Sequence, residues 1–360
     1  MIVNNERALA TIRVVEELKD IPNADAIEAA RVGGWWVVIK KGDLNVGDLA
    51  LYIEIDAWVP TEIAPFLSKG KTPKVYEGVT GERLRTIRLR GQLSQGLLLP
   101  LDSVFFEPET LLEDGTDVTA ILGIKKWERP TPAALRGQMK GYFPHFIRKT
   151  DQERIQNIPE VLENLDKLWE VSLKLDGSST TVYAVDGHPG VCSRNLDLKL
   201  SAANNENAFV KTARDGWLIQ ALMCFYEESG RALALQAELM GPGVQGNREK
   251  EDQLQLYIFD IWDIDEQKYL RPYERDTIFQ YLWSHYAADI QHVPTLSRYV
   301  SLRDLDIFSM EDILLLPEKL GASWFKYHTQ PIEGLVFKAV HGSQSFKVIN
   351  NTFLEDKNNA

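Results

Sequence analysis

The segment Val171-Ser172-Leu173-Lys174-Leu175-Asp176-Gly177-Ser178-Ser179 decides how the rest of the chain is interpreted. Its apolar and polar residues alternate, which predicts a strand that turns Ser172, Lys174 and Asp176 away from a core. Gly177 then permits a sharp turn or a close backbone approach. A lysine amine can act as a nucleophile once desolvation or nearby positive charge lowers its pKa. Taken alone, the segment fits an exposed Lys–Asp pair before a turn equally well.

Five short segments downstream of Lys174 each combine a charged residue with strand-forming neighbours. They are Ser193-Arg194-Asn195, Gln236-Ala237-Glu238-Leu239, Tyr257-Ile258-Phe259-Asp260-Ile261, Glu333-Gly334-Leu335-Val336-Phe337-Lys338 and Ser345-Phe346-Lys347. Together with Lys174-Leu175-Asp176-Gly177, they resemble the ordered motifs of the covalent nucleotidyltransferases, which include ATP- and NAD-dependent ligases and mRNA capping enzymes. The KxDG pattern is weak on its own, whereas five ordered matches behind it are specific. The resemblance implies that Lys174 forms a covalent bond to a nucleotide.

The resemblance also assigns a role to the cations and to one aromatic residue. Lys347, helped by Arg194 and Lys338, is expected to stabilise negative charge on the α-phosphate and on the departing pyrophosphate. These cations are also expected to depress the pKa of Lys174. Phe259 offers a flat apolar face for an adenine ring.

Three carboxylates complete the expected site. Asp176, Glu238 and Glu333 suit Mg²⁺ or Mn²⁺ held through bridging water, because these ions prefer oxygen ligands and retain waters. The predicted catalytic residues are Lys174, Asp176, Glu238, Glu333 and Lys347, and the predicted nucleotide-binding residues are Val171, Leu175, Arg194, Asn195, Phe259, Lys338, Arg154 and Gln156.

Several of these residues have a simpler interpretation. Phe259 lies in an apolar strand and fits a core residue, Arg194 fits a surface arginine, and Glu333 fits an acid at the start of a strand. Glu238 has a stronger claim, because its apolar neighbours predict burial and a buried acid needs a partner.

One position departs from the family pattern. Many members end in a Lys-x-Lys strand, whereas this chain has Ser345 at the first of those two positions. Either Lys347 suffices alone, or Lys326 or Lys338 supplies the missing charge.

The N-terminal part of the chain predicts many short strands separated by turns, which is typical of a small barrel or sandwich. Ile21–Glu28, Gly34–Val38 and Ser94–Pro100 resemble the tRNA-binding-like branch of OB-folds. An OB domain placed before the transferase domain is similar to the arrangement of the Deinococcus/Naegleria-type RNA ligases. The segment Phe143–Asn157 resembles the lead-in to their nucleophile, which makes Arg154, Gln156 and Asn157 candidates for nucleotide contacts.

The expected fold class is α+β. We predict an N-terminal OB-fold β-barrel over 1–125, a connecting segment over 126–145, an adenylyltransferase (nucleotidyltransferase) domain over 146–350 and a C-terminal tail over 351–360. The second domain is expected to contain antiparallel sheets flanked by helices, including one long helix over 206–228 with an apolar stripe. No C-terminal OB domain is expected after Ile349.

Composition limits the environment of the protein. The 360 residues are 44% hydrophobic and 26% charged, with no apolar run of membrane-spanning length and no signal-peptide pattern. The chain has only two cysteines, Cys192 and Cys224, which suits a reducing cytoplasm. The net charge of −12 argues against a protein that simply coats nucleic acid, so RNA contacts must rest on local clusters such as the arginines of Arg83–Arg90.

The predicted function is that of an ATP-dependent RNA ligase that joins 5′-phosphate and 3′-hydroxyl ends through a lysyl-AMP and an adenylylated 5′ end. The resemblance implies nicked duplexes with an RNA 3′-hydroxyl as substrate, a role in RNA repair, and ATP with Mg²⁺ or Mn²⁺ as cofactors. We expect RNA ends as the partner, and neither a membrane nor an obligate protein partner. Two alternatives stay open: a GTP-dependent, capping-type guanylyltransferase and a non-catalytic RNA-binding protein.

Overall fold

The computed structural model describes residues 2–3, 6–72, 74–128, 137–324 and 331–359. The chain forms two compact units that are interleaved along the sequence, whereas the domains predicted above are consecutive. The first unit gathers Met1–Pro130, Glu153–Glu163 and Leu354–Ala360, and the second gathers Thr131–Gln152 and Asn164–Phe353. Part of the predicted connecting segment over 126–145 lies outside the described residues. Within the described helices, none is long and apolar enough to cross a membrane.

The first unit is built from short antiparallel strands. They are β1 (Ile2–Val3), β2 (Glu6–Arg7), β3 (Ala10–Val14), β4 (Glu17–Asp20), β5 (Ile27–Val32), β6 (Trp35–Lys40), β7 (Leu49–Ile53), β8 (Ala57–Pro60), β9 (Lys74–Tyr76), β10 (Val79–Arg83), β11 (Ile87–Leu89), β12 (Gln92–Ser94), β13 (Leu97–Pro100) and β14 (Lys125–Lys126). Their sheets have the orders β13-β7-β3, β4-β5-β6 and β14-β8-β10-β9, with β1-β2 and β11-β12 as separate hairpins. Short 3₁₀ helices lie at Pro65–Ser68 and Leu101–Ser103.

Strand β7 is buried on both faces, which explains its unbroken apolar sequence. Leu51 and Ile53 belong to one apolar cluster, while Ala50 and Tyr52 belong to a second cluster that also contains Trp35. A strand covered on both sides occupies the middle of a small barrel or of two packed sheets.

The second unit contains most of the remaining strands. They are β15 (Met139–Tyr142), β17 (Leu168–Lys174), β18 (Ser178–Val185), β19 (His188–Ser193), β20 (Leu196–Leu198), β21 (Leu233–Met240), β22 (Gln255–Asp263), β23 (Lys268–Tyr269), β24 (Gln291–His292), β25 (Thr295–Ser301), β26 (Gly334–Ala339) and β27 (Ser345–Ile349), while β16 (Glu153–Arg154) falls within the first unit. One sheet, here the large sheet, has the order β15-β20-β19-β18-β21-β22-β23, with β24 parallel to β22. Strands β27, β26, β17 and β25 lie side by side as the small sheet, with antiparallel neighbours.

The second unit also contains helices, of which the first three cover one face of the large sheet and the fourth contacts β27 of the small sheet. They are α1 (Ala208–Asp215), α2 (Leu218–Ser229), α3 (Pro272–Tyr286) and α4 (Met310–Trp324), followed by α5 (Asn351–Asn359), which continues into the first unit; 3₁₀ helices lie at Ile155–Asn157, Pro159–Glu163, Ala202–Asn204 and Arg303–Leu305. Apolar residues of α1 to α3, such as Val210, Leu222 and Leu282, pack on Val182 and Leu235 of the sheet.

The predicted helix over 206–228 is wrong in one respect, because it is two helices. Gly216 ends α1 by donating its amide to the carbonyl of Thr212, and Trp217 adopts a left-handed conformation with φ of 60° before α2 begins. Cys224 lies on α2 and is partly exposed, whereas Cys192 on β19 is buried.

Candidate active site

A cavity of about 670 Å³, part of it open to solvent, lies within the second unit. Its volume falls in the range of small-molecule sites. Seven of the residues predicted from the sequence line it: Lys174, Leu175, Arg194, Glu238, Phe259, Lys338 and Lys347. The large and small sheets both contribute to this set, so residues that are far apart in sequence meet in one cavity.

Lys174 meets Glu333 because of the register of two strands. Lys174 is the last residue of β17 and pairs with Gly334, the first residue of β26. Glu333 therefore lies beside the end of β17, and its Oε1 is 2.8 Å from the Nζ of Lys174. Strand alternation puts Glu333 and Lys338 on opposite pleats, yet both reach the site, since β26 begins only after Glu333.

Gly177 allows Glu238 to approach the nucleophile segment. Its amide donates to Oε1 of Glu238 over 3.0 Å. A Cβ at position 177 would lie 2.4 Å from the carbonyl oxygen of Leu239 and 2.8 Å from Cγ of Glu238. Only glycine fits this close contact between two strands, which explains the glycine after Lys174-Leu175-Asp176.

The nearest charges to Lys174 are carboxylates. Burial alone would lower the pKa of its amine, but Glu333, Glu238 and Asp176 outweigh burial and raise that pKa. The depressed pKa expected from the sequence is therefore wrong for the protein alone, because acids surround the amine more closely than cations do. Burial also raises the pKa of Glu238 to about 7, with Lys174 opposing that change.

The predicted phosphate-binding cations are held by carboxylates. Nζ of Lys347 donates to Oδ1 of Asp151 over 2.9 Å. Nζ of Lys338 donates to Oδ1 of Asp260 over 2.8 Å, and burial lowers the pKa of Lys338 although Asp260 opposes that change. Arg194 is exposed at the rim. Lys347 and Lys338 are therefore positioned before a ligand arrives.

Phe259 lies at a β-bulge between β21 and β22. Gln236 pairs with Asp260 while Ala237 pairs with Ile258, so Phe259 is an extra residue without a ladder partner. Bulges of this kind turn a side chain in a new direction. The carbonyl of Phe259 accepts hydrogen bonds from Nζ of Lys338 and, over 3.3 Å, from the guanidinium of Arg275.

Arg275 was not predicted as part of the site. It extends from α3, is fully buried, and donates to Oε1 of buried Glu170 over 2.6 Å. Glu170 is the cross-strand partner of Lys338. The bulge at Phe259 is thus supported by a buried ion pair behind the cavity, which no local sequence pattern indicates.

The other predicted residues lie outside the cavity lining. Val171 is buried in the small sheet, and Asn195 accepts a hydrogen bond from Lys149. Asp176 is 9% exposed and acts on Lys174 through its charge. Arg154 and Gln156 are buried in the first unit.

Two cations were considered as substitutes for the lysine that Ser345 replaces. Lys338 lines the cavity. Lys326 lies outside the described residues.

Several lining residues were missed by the sequence interpretation: Thr150, Asp151, Gln152, Ser172, Ser179 and Val293. Asp151 and Gln152 fall within the lead-in to the nucleophile, and Gln152 donates to Asp260 over 3.4 Å. Ser172 shares its pleat with Lys174, so alternation alone was enough to find it. The residues from 150 to 152 were missed because the sequence directed attention to Arg154 and Gln156.

The acids fit a divalent cation held through water. Among the described residues, no group of three or more His, Cys, Asp or Glu side chains is arranged to hold a metal directly. However, Oε2 of Glu333 is buried and has no hydrogen-bond partner. A buried carboxylate oxygen without a donor is costly, and a hydrated cation satisfies such an oxygen.

Comparison with known proteins agrees with this architecture. A family model described as an OB-fold domain matches residues 9–101, and a model described as RNA ligase matches residues 167–349. A search of curated proteins found no match. The predicted fold class, with an OB-fold domain before a ligase domain of sheets and helices, is confirmed.

Solved structures of Naegleria gruberi RNA ligase resemble the whole chain. A variant without ligand is 43% identical, with a TM-score of 0.86, and the match covers 99% of this chain and 100% of that one. A variant with ATP and Mn is 43% identical (TM-score 0.84; 98% and 100% covered), and the ligase with PPi is also 43% identical (0.85; 99% and 100%). Because the likeness in sequence and fold extends over both domains, the chain belongs to the RNA ligase family.

Proposed function

We propose that this RNA ligase works through a covalent AMP on Lys174. The deprotonated amine of Lys174 attacks the α-phosphorus of ATP, and the bond to pyrophosphate breaks. AMP then passes to a 5′-phosphate end, which frees the lysine. Finally, a 3′-hydroxyl attacks the phosphorus of the original 5′-phosphate, AMP leaves, and a phosphodiester forms. The observation that carries the proposal is the convergence of Lys174, Glu238, Lys338 and Lys347 at one cavity, where Glu333 pairs with Lys174.

The ligands named for the Naegleria structures support this order of events. Those structures contain ATP with Mn, AMP with Mn, or PPi. AMP and pyrophosphate are the two parts into which the first step divides ATP. We therefore propose ATP as the nucleotide and Mg²⁺ or Mn²⁺ as the cation for this chain.

The residues of the cavity have distinct proposed roles. Lys347, Lys338 and Arg194 stabilise the charge that develops on the phosphates. Phe259 stacks on the adenine. A divalent cation bound through water near Asp176, Glu238 and Glu333 would supply positive charge that counters their effect on the amine.

We propose a nick with an RNA 3′-hydroxyl as the substrate and the cytoplasm as the location, with RNA repair as the role. Both cysteines are free thiols, which agrees with a reducing compartment. Nicked duplexes with RNA or DNA placed separately on each side of the break test the substrate. The proposal requires that an RNA 3′-hydroxyl strand is joined faster than the matching DNA strand, and equal rates would contradict it.

Labelling of the protein tests the central step. Incubation with ATP labelled at the α-phosphate and Mn²⁺ should leave label on the denatured wild type that acid releases, as expected for a phosphoramidate bond, and none on Lys174→Ala or Lys174→Arg. The arginine variant controls for loss of positive charge, since it retains charge but provides no nucleophile. A labelled Lys174 variant would refute the assignment. Preference for GTP would favour the guanylyltransferase alternative, and RNA binding without label would favour the non-catalytic one.

A further inference from the structure

A row of cations and aromatic rings follows the β15–β20 edge of the large sheet. We call it the edge ribbon; it consists of Arg194, Lys149, Phe143, Tyr142 and Lys140. Strand β15 pairs with β20, with Tyr142 opposite Leu196, and the amide of Phe143 donates to the carbonyl of Asn195 over 2.9 Å. The ribbon therefore begins at Arg194, on the rim of the nucleotide cavity, and leads away along the sheet edge.

The two lysines of the ribbon are held by neighbouring residues. Nζ of Lys149 donates to Oδ1 of Asn195 over 2.8 Å and stands 5.6 Å from the centre of the Phe143 ring. Nζ of Lys140 lies 3.3 Å from Oδ2 of Asp197, yet 57% of the Lys140 side chain is exposed. Both amines are thus held next to the neighbouring residue of the ribbon while remaining open to an anion.

The far end of the ribbon opens into a second cavity of about 1250 Å³, much of it open to solvent. Tyr142, Lys140, His188 and Tyr183 line it, and Asp197 forms part of its floor. The Tyr142 side chain is 82% exposed. Asp197, which lines the same cavity, is buried and accepts a hydrogen bond from the hydroxyl of Tyr183 over 2.9 Å. An exposed ring and a carboxylate acceptor in one cavity suit a planar group that carries donors on its edge, such as a nucleobase.

Both cavities lie on the same face of β18. Ser179 lines the nucleotide cavity and Tyr183 lines the second one. Four residues along a strand keep the same face and span ~13 Å. A polynucleotide whose end is bound at Lys174 continues over the surrounding surface, and this cavity lies within reach of a few nucleotides.

The charge of the ribbon contrasts with that of the chain. The net charge is −12, whereas the ribbon contains three cations and the nearby Asp197 is already paired with one of them. Asp186 also lines the cavity, so the positive charge ends there. Cations that follow a groove with stacking aromatics are typical of single-stranded nucleic acid sites.

We propose that the edge ribbon binds an unpaired stretch of the RNA substrate that adjoins the nicked duplex. Lys149 and Lys140 contact its phosphates, Tyr142 stacks on a base, and Asp197 accepts from the amino group of that base. This inference rests on the proposed function, because it adds a strand-binding site to the same reaction.

Binding of a fluorescein-labelled, single-stranded RNA, followed by fluorescence anisotropy, tests the ribbon. Tyr142→Ala should weaken binding about 5- to 150-fold, the range expected for one stacked base. Tyr142→Phe retains the ring and should bind nearly as well as the wild type. Lys140→Ala and Lys149→Ala should each weaken binding and reduce its salt dependence. Trp283→Ala, which removes another exposed ring (67% exposed) from α3, is the matched control.

The AMP-labelling assay separates this proposal from the proposed function. The ribbon variants should accept AMP at the wild-type rate, which also shows that they are folded. If the wild type takes no label, the proposed function fails. If labelling is normal and Tyr142→Ala binds RNA as tightly as Tyr142→Phe, the ribbon is not a strand-binding site and the inference is overturned.

Discussion

Lys174 is held as one partner of an ion pair in the protein alone. Its amine lies 2.8 Å from Glu333, and Glu238 and Asp176 add further negative charge nearby. A protonated amine has no lone pair for attack on phosphorus. In the protein alone the amine is therefore held in its protonated, unreactive form. Its activation requires that the negative charge of these carboxylates be countered.

Replacement of Glu333 tests this view of the amine. In Glu333→Gln, burial still lowers the pKa of Lys174, but the strongest opposing charge is removed, so that pKa should fall. The fraction of neutral amine should then rise at a lower pH than in the wild type. The pH dependence of Lys174 acetylation, measured by mass spectrometry without nucleotide or metal, gives the midpoint, the pH at which half of the amine is neutral.

A matched control for that experiment is Glu318→Gln, which removes a carboxylate from α4 and should leave the midpoint where the wild type has it. A midpoint for Glu333→Gln that equals or exceeds the wild-type value would contradict the prediction.

The sequence located Lys174 but not the direction of its pKa change. The KxDG pattern is local, and strand alternation predicted which face it occupies. Glu238 and Glu333 lie far away in the sequence, and their distances to the amine depend on the register of β18 with β21 and of β17 with β26. Those registers are set by packing of the sheets rather than by the segment itself.

At the level of elements, the β-bulge in β22 determines how the cavity presents its aromatic ring. Phe259 has no pairing partner in the strand ladder, and its carbonyl instead accepts hydrogen bonds from Lys338 and Arg275. A buried polar group without a partner costs about 1–3 kcal/mol. The ion pair of Arg275 with Glu170 therefore stabilises a local irregularity that places Phe259 at the cavity.

The double variant Arg275→Met/Glu170→Gln should weaken ATP binding. Changing both residues avoids an unpaired buried charge, which alone costs about 3–5 kcal/mol. With one hydrogen bond to the Phe259 carbonyl lost, we expect the KM for ATP to rise about tenfold, equivalent to ~1.4 kcal/mol, with a smaller change in kcat. The rate of AMP labelling against ATP concentration measures both constants.

The thermal midpoint of the same variant provides the control for folding. An ATP dependence identical to that of the wild type would show that the pair does not position Phe259. Lys338→Met is unsuitable for comparison, since Lys338 itself lines the cavity.

Elements were predictable where periodicity was strong, and not where single residues interrupt it. The alternation of apolar and polar residues in β17 identified that strand. The break at Trp217 was missed, because an apolar stripe continues from α1 into α2 and only the left-handed backbone at Trp217 separates them. The bulge at Phe259 was missed for the same reason, since an extra residue in an apolar run leaves the composition unchanged.

At the scale of the whole molecule, the net charge of −12 restricts how RNA is bound. Long-range attraction to phosphate is weak for an acidic protein, so affinity must come from a few local cations. Each phosphate that is neutralised on a single strand contributes about −0.7 to the slope of log K against log salt. The two lysines of the edge ribbon, Lys140 and Lys149, therefore predict a slope of about −1.4.

Titration of single-stranded RNA binding at several salt concentrations measures that slope. A value several times steeper would indicate a much larger basic surface, and a slope near zero would exclude phosphate contacts. The matching measurement on Lys140→Ala should give a slope shallower by about 0.7.

The order of the two domains was predictable from motifs, whereas their interleaving was not. Glu153–Glu163 belongs to the first unit, where Nε1 of Trp35 donates to Oδ1 of Asn157 over 2.6 Å. The amide of Gly34 also donates to the carbonyl of Gln156 over 3.0 Å. Such contacts join residues more than a hundred positions apart, and neither segment alone predicts them.

The two thiols of the chain differ in their surroundings, and this has a practical use. Cys192 is buried beside Asp197, and burial strongly raises the pKa of its thiol, whereas Cys224 is partly exposed on α2. A maleimide dye should therefore attach at Cys224 alone, on the helical side of the large sheet. The natural chain is thus ready for single-molecule fluorescence without any engineered attachment point.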